Sequence, residues 1–399
     1  MSSSARHGAI LKTVLTDTIQ RCTLCGARSQ LIIEHLGVCG DCVRTRFEQA
    51  RARVQAAHAE TRRAFGLPEL PPCTADGVPC ALCSRGCIIG PDERGYCGLR
   101  VSTSVSRHGV PSGDMVGPAR TEATAAAKRQ VRRLQHLAGT PARGVLHWYR
   151  DPLPTNCVAD WVCAGSRRHG YHNLAVFYAS CSLNCLFCQN WHFRQVDPVT
   201  SDGITACELA DCANARTFCV CYFGGDPASQ MPHALASSQY LAGRGVAVCW
   251  ETAGTQHPKL MARAVELSMK TGGTVKFDLK AFDERLHVAL TGASNQRTLE
   301  NFTLAAARFS ERPEPALVVA STLLVPGYVT PDEVARIARF IAGINPRIPY
   351  ALLGFAPNFY VPDLPRTSVS HAEAAVAAAR AAGLRDVHIG NRHLLSRDY

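Results

Sequence analysis

From about residue 174 onward, short apolar, β-rich runs alternate with Ala-rich stretches of helical period, the pattern of repeated strand–helix units. The runs that read as strands are 174–180 (LAVFYAS), 218–225 (FCVCYFGG), 246–252 (VAVCWET), 274–280 (TVKFDLK), 316–325 (ALVVASTLLV) and 349–355 (PYALLGF). Helix start signals fall between and after them. Thr330-Pro331-Asp332-Glu333 combines an N-cap, a proline at the first helical position and a capping-box glutamate, and Ser370-x-x-Glu373 offers the same box. Six parallel strands in this order predict an α/β fold, a curved, partial (β/α)6 TIM-like barrel rather than an open sheet. A last run, 386–391 (DVHIGN), predicts an edge strand. No internal sequence repeat is evident.

The pattern before residue 174 is different. Cys22-x2-Cys25 and Cys39-x2-Cys42 are followed by RTRFEQARARVQAAHAETRRAF, which reads as a polar, Ala-rich helix. The Pro- and Gly-rich segment 66–79 then breaks regular structure, and a second cysteine-rich module begins at Cys80. The predicted units are therefore 1–66, a zinc-ribbon-like module plus helix; 67–165, a second cysteine-rich segment and linker; and 166–399, the barrel.

Composition narrows the class. With 46% hydrophobic and 19% charged residues in 399, the chain has material for sizeable cores, which excludes disorder and fibre. No run of 18 apolar residues occurs, and the start MSSSARHGAILKT lacks the apolar core and cleavage site of a signal peptide. The expectation is a cytoplasmic protein with no membrane partner. In that reducing compartment, 19 cysteines point to metal or iron–sulfur ligation rather than disulfides. The net charge of +11 sits almost wholly in residues 1–150, a surface that could meet an acidic protein, with nucleic acid not excluded. Arg44, Arg46, Arg51, Arg53, Arg62 and Arg63 lack interleaved aromatics and read as a solvated helix face.

The cysteines divide by spacing. Cys22, Cys25, Cys39 and Cys42 have the paired knuckles of a tetrahedral S4 zinc ribbon, with a rubredoxin-like iron as runner-up. Cys181, Cys185 and Cys188 stand in one loop after the first strand. Three thiolates there can hold three corners of a cubane iron–sulfur cluster and leave one iron open, or, with His192, form a Cys3His zinc knot. Cys80, Cys83, Cys87 and Cys97 could hold zinc or a second four-iron cluster. Cys157 and Cys163 could contribute to a further site but read rather as packed residues, and Cys73, Cys207, Cys212, Cys219, Cys221 and Cys249 as core thiols.

The spacing C-x3-C-x2-C with Phe187 before the third cysteine resembles the signature of radical S-adenosylmethionine (SAM) enzymes. That resemblance implies a 4Fe-4S cluster on Cys181, Cys185 and Cys188 whose open iron chelates SAM, and a 5′-deoxyadenosyl radical that abstracts hydrogen. It places Phe187 near the adenine. Gly224-Gly225-Asp226-Pro227, after the second strand, matches the motif whose backbone and acidic residue receive the SAM amino group. Glu251-Thr252-Ala253-Gly254, Asp278-Leu279-Lys280, the 290–295 stretch and Val325-Pro326-Gly327 resemble the pyruvate formate-lyase activating enzymes, the glycyl-radical activases. In those, such residues line the SAM pocket and a nearby cation site; here Glu-Thr-Ala-Gly stands where activases more often show Asp-Thr-Asn-Gly. Asp278 and Lys280 also read simply as a rim ion pair. The Cys80 set resembles the N-terminal segment of AmmeMemoRadiSam-type proteins.

The reading is thus a radical SAM oxidoreductase of activase-like type, fed by a reductant protein such as flavodoxin or ferredoxin and acting on a protein substrate. Modification of a peptide, nucleic acid or metabolite is the alternative within that class. A non-enzymatic zinc-rich scaffold is the alternative outside it.

Overall fold

The computed structural model describes residues 19–105, 131–155 and 157–399; the N-terminal stretch read for a targeting signal lies outside these. The centre is an eight-stranded sheet whose spatial order follows the chain. Its strands are β1 (Leu146–Pro152), β2 (His172–Tyr178), β3 (Thr217–Phe223), β4 (Ala247–Thr252), β5 (Val275–Asp278), β6 (Val318–Leu324), β7 (Tyr350–Gly354) and β8 (Val387–Gly390). Strands β2 to β8 are parallel, and β1 runs antiparallel beside β2. The six expected strands and the edge strand are present, each within one to three residues. β1 was not anticipated: its LHWYRDP sequence is charged and aromatic, and such a strand is tolerated because it lies at an edge.

Several predicted runs extend past the observed strands at their C-terminal ends. Residues 179–180, 224–225 and 279–280 leave the sheet and form the loops of the mouth, where parallel α/β barrels carry their chemistry. Helices α3 (Ala206–Asp211), α4 (Met231–Gly243), α5 (Pro258–Thr271), α6 (Glu284–Thr291), α7 (Gln296–Ala306), α8 (Pro331–Ile344) and α9 (Val369–Ala381) connect the strands. Two start signals need correction. Pro331 does open α8, but the Thr330 side chain makes no cap bond, and Glu333 instead accepts from Phe282 N–H (2.7 Å) and Asp283 N–H (2.8 Å). Helix α9 begins two residues earlier than the proposed box, with Ser368 rather than Ser370 accepting from His371 N–H at 3.1 Å.

The front module forms a two-residue ribbon (Gln20–Arg21 with Arg28–Ser29), then α1 (Gly40–Thr45) and α2 (Phe47–Arg63). Its Ile33, Leu36, Val38, Val43 and Val54 are fully buried and belong to the same apolar core as Val248, Phe277 and Ile337 of the barrel. Each such side chain contributes roughly 1.5–3 kcal/mol when removed from water, so the module is held to the barrel by packing. The helix arginines are only partly a solvated face. Arg46, Arg51, Arg53 and Arg63 are exposed, but Arg62 is buried against the Tyr96 ring, and Arg44 reaches the Tyr328 carbonyl.

Candidate functional site

The loop that follows β2 carries Cys181, Cys185 and Cys188, and it is anchored from three sides. Asn184 N–H donates to the Thr291 carbonyl at 2.8 Å and Leu186 N–H to that of Leu290 at 3.0 Å, fixing the loop to the end of α6. The Asn184 amide donates to Thr61 Oγ1 (2.8 Å) and the His58 carbonyl (3.2 Å) of α2. From the second cysteine module, Arg85 donates to the carbonyls of Ser182 and Gly292, each at 2.6 Å.

Burial pushes all three thiols up: Cys181 well above its ordinary value, Cys185 to about 11 against the pull of Lys280, and Cys188 against the pull of Arg194. Arg194 is buried, and among the described residues its Nε has no hydrogen-bond partner. Two cations beside three thiols that together lack compensation suit an anionic thiolate-bound cluster. Among the described residues, Cys181, Cys185 and Cys188 do not gather within 4.8 Å of one another, with or without His192, which is exposed, so the loop is not arranged as a single-ion zinc knot.

After β3, Gly224 and Gly225 have φ of 65° and 51°. A Cβ at Gly225 would collide with the carbonyl oxygens of Tyr178 and Ser180, so glycine is required for the turn to close on the end of β2. Asp226 is buried, and both its oxygens are engaged by the protein. Oδ1 accepts from Ala228 N–H at 2.7 Å, Oδ2 from Ala253 N–H at 2.6 Å, and the Thr252 hydroxyl lies within 3.3 Å of both. The carboxylate expected to face a ligand ammonium therefore also ties the glycine turn to the end of β4. Burial raises it to about 6 in spite of those N–H bonds.

The third- and fourth-strand residues form one ionic layer across the barrel. Lys276 Nζ lies 2.9 Å from Glu251 Oε2 and 2.8 Å from Asp278 Oδ1, and Lys280 Nζ lies 3.0 Å from Asp278 Oδ2. Ser321 Oγ donates to Asp278 at 2.8 Å. Burial alone would push Asp278 up, but Lys276 and Lys280 hold it below the usual carboxylate range. The Asp278–Lys280 pair is thus present, and Lys276 is its unforeseen third member. The signal was the K-x-D-x-K alternation of 276–280, which puts all three on one face. Phe187 is buried, with Lys280 Nζ 6.0 Å from its ring centre.

Of the front cysteines, Cys22, Cys25, Cys39 and Cys42 gather with all four sulfurs within 4.8 Å of one another, and Cys25 and Cys39 are 3.8 Å apart. Tetrahedral zinc with Zn–S of about 2.3 Å requires sulfur separations of about 3.8 Å, so the set fits a single ion. Burial opposes ionisation of Cys22, but N–H groups of Cys39, Cys25 and Leu24 bring it down to about 6. Cys80, Cys83, Cys87 and Cys97 do not gather within 4.8 Å, although Cys83 is pushed to about 12 by burial and by the other three. Cys73 and Cys207 are exposed and Cys212 is half-buried, which corrects their reading as core thiols.

Residues 175–341 match the family model of the Radical SAM superfamily. Among curated proteins, the chain is similar to the isethionate sulfite-lyase activating enzyme of Desulfovibrio desulfuricans, 32% identical over 133 residues, covering 33% of this chain and 40% of that protein. It is also similar to the pyruvate formate-lyase-activating enzyme of Staphylococcus aureus, 27% identical over 182 residues, covering 43% of this chain and 69% of that one. The match thus spans well under half of the first relative's length. Solved structures that align are a domain of a pyruvate-formate lyase-activating enzyme from Bacteroides vulgatus (TM-score 0.35, 19% identity, 43% of this chain and 98% of that chain) and Streptococcus suis SuiB (0.40, 13%, 56% and 52%). Among the described residues, no helix is long and apolar enough to cross a membrane.

Proposed function

We propose that the chain reductively cleaves SAM at a 4Fe-4S cluster held by Cys181, Cys185 and Cys188, and that it is an activase-like oxidoreductase acting on a protein. The observation that carries this reading is the buried three-thiol loop with Lys280 and Arg194 beside it, and the Gly224-Gly225 turn closed on the carbonyls of Tyr178 and Ser180 that precede the loop. A four-iron cluster held by Cys181, Cys185 and Cys188 would supply, when bound, the electron for reductive cleavage of the SAM sulfonium.

The chain's own residues bind and orient. The Gly224-Gly225 backbone receives the SAM ammonium and Lys280 its carboxylate. Asp226 and Thr252 hold that turn in place, Phe187 packs toward the adenine, and Glu251 and Asp278 form the pocket wall. Lys276 fills the space between those two carboxylates, so a built-in ammonium stands where the resemblance implied a cation site.

Zinc is assigned to the Cys22 set by its compact sulfurs. The Cys80 set, wider than a single ion's coordination sphere, is read as a second iron–sulfur cluster. Its module hydrogen-bonds to the barrel mouth through Ser84 N–H to Thr255 (2.8 Å) and His257 N–H to Leu82 (2.9 Å), which suits electron entry from a flavodoxin- or ferredoxin-type donor. The substrate is read as a glycine-bearing loop of an acidic partner, drawn by the basic front third.

Anaerobic reconstitution followed by incubation with SAM and a reductant should yield methionine and 5′-deoxyadenosine. A fully iron-loaded protein that makes neither would refute the reading.

A further inference from the structure

Between Cys83 and Cys87 of the second cysteine module, residues 84 and 85 clamp Ser182, the residue that follows Cys181, from two directions. Arg85 Nε donates to the Ser182 carbonyl at 2.6 Å, and its Nη1 donates to the carbonyl of Gly292, the left-handed residue that ends α6, also at 2.6 Å. Ser84 N–H donates to the Thr255 carbonyl at 2.8 Å, and the Thr255 hydroxyl meets that of Ser182 at 2.6 Å. One guanidinium thus joins the start of the cluster loop to the end of the helix from which the middle of that loop is hung. Both of its bonds are charge-assisted, the stronger kind.

Arg85 is in turn held by an aromatic ring. Its Cζ lies 3.9 Å from the centre of the Tyr96 ring, and the Cζ of Arg62, on α2, lies 3.4 Å from the same centre. Two guanidiniums that close cannot share a face, so the ring is sandwiched between them, a favourable arrangement where water is excluded. Tyr96 is 2% exposed, precedes Cys97, and donates its N–H to Cys87 Sγ at 3.4 Å. The apolar cluster around it is small: Cys87, Ile89 and Tyr96, with Cys80 and Leu134 packed alongside. A core of that size does not order its segment alone, so the position of the ring depends on what the thiols bind. Arg100 points to an anionic set there. It is 1% exposed, its Nη1 donates to Cys97 Sγ at 3.2 Å, and among the described residues its Nε and Nη2 have no partner. A buried guanidinium calls for a counter-charge, which ligated thiolates supply.

Resting on the cluster assignments above, we propose that Arg85 is a positioning residue for the Cys181–Cys188 loop, and that ligation of Cys80, Cys83, Cys87 and Cys97 sets it through Tyr96. Ligation fixes the separation of Cys83 and Cys87, and with it the three-residue bend that aims Arg85. Loss of the ligated group frees the bend, the stacked ring and the clamp on Ser182 together. The second module therefore acts on the cluster loop by position, independently of any electron it passes.

The test uses the full-length, anaerobically iron-reconstituted protein and reads amide hydrogen exchange across residues 181–188 by mass spectrometry, with peptides of the barrel strands as the internal control for folding. In Arg85→Met, exchange of the loop should rise about tenfold or more, the factor one charge-assisted hydrogen bond is worth, while the strand peptides stay as in wild type. Arg85→Lys, which can still reach one carbonyl, should fall between. Cys97→Ser should raise loop exchange in a chain that keeps Arg85, but by no more than about twofold in one that already carries Arg85→Met. Tyr96→Leu removes the ring and no ligand, and should reproduce the Cys97→Ser result should that variant unfold. Unchanged loop exchange in Arg85→Met, or increases that multiply in the double variant, would overturn the proposal. The electron paramagnetic resonance signal of the reduced wild-type cluster should change when SAM is added. A signal indifferent to SAM would refute the cluster reading and the proposal with it, whereas a responsive signal with loop exchange indifferent to Arg85 would refute the proposal alone.

Discussion

Replacing Lys276 with methionine isolates the chemistry of the ionic layer. The ammonium is 5% exposed and touches Glu251 and Asp278 at 2.9 and 2.8 Å, while Asp278 keeps Lys280 and Ser321 as partners. Among the described residues, Glu251 would be left with the Cys157 and Cys221 thiols. Removing one partner of a buried pair costs about 3–5 kcal/mol. The orphaned glutamate can limit that cost by taking a proton, which at pH 7, from a free glutamate's value near 4.3, costs about 4 kcal/mol. Lys276→Met should therefore lose about 3–4 kcal/mol in anaerobic urea unfolding at pH 7, and only about 1–2 kcal/mol at pH 5, where protonation is cheap. In wild type the layer should be at full strength across the intervening range. Asp278 is held below, and Lys276 above, its ordinary value, so the stabilisation is lost only as pH falls below about 4 or rises above about 10. Adding Glu251→Gln to the methionine variant should restore most of the loss, because no unpaired charge then remains. A loss under about 1 kcal/mol at pH 7, or one equal at both pH values, would refute the argument.

Asp226→Asn leaves one oxygen for the two N–H donors of Ala228 and Ala253, so SAM dissociation constants should rise by about tenfold or more, near 1.5–3 kcal/mol; calorimetry showing no change would count against the turn's role. Because the native value of Asp226, about 6, lies above a free aspartate's, wild-type stability should fall as pH rises from about 4 to 6, by up to about 3 kcal/mol from this group, and the Asn variant should lack that step. Cys185→Ala should abolish 5′-deoxyadenosine formation while far-UV circular dichroism is retained, and wild-type turnover would reject the ligand assignment. Zinc removal from the Cys22 set by a chelator should lower the melting temperature of the whole chain in one transition, since the module shares the barrel's core; an unchanged barrel transition would show the two to be independent.

What was legible in the sequence was local. The paired knuckles of the Cys22 set, the glycine pair and the six strand runs each depend on residues a few positions apart: the four sulfurs gather, the glycines form a tight turn and the strands form where expected. The misses depended on long-range neighbours. Lys276 in a strand looks like a surface lysine until β4 and β5 place Glu251 beside it, and Arg62 looks solvated until Tyr96 covers it. Nothing in the segment of Cys157 and Cys163 reveals that they line one cavity with Cys219, Cys221 and Cys249. Glu333 satisfies the spacing of a capping box, yet its carboxylate does more by capping the loop before α6, two backbone N–H groups that would otherwise be buried without partners.

The same long-range contacts explain why the front of the chain is not a detachable appendage. Asn184 lies between two of the three cluster cysteines, and its amide is spent on Thr61 and His58 of α2 rather than on its own loop. His58 is buried and held neutral, its value lowered to about 4, and its ring nitrogen meets the carbonyl of Ala289 at 3.0 Å in the helix that also anchors the cluster loop. Tyr328, after β6, donates to the Val38 carbonyl at 2.7 Å and accepts from Ile33 N–H at 3.0 Å, so the segment between the two zinc knuckles is bonded to the far side of the barrel mouth. An ion that orders Cys22 to Cys42 therefore orders α1 and α2 against the barrel, and α2 in turn fixes the loop that must present three thiols in one geometry. Since a misplacement of about 1 Å in a catalytic constellation is enough to cost a large part of its activity, a metal bound at the front of the chain would act on the proposed chemistry at the mouth through position alone.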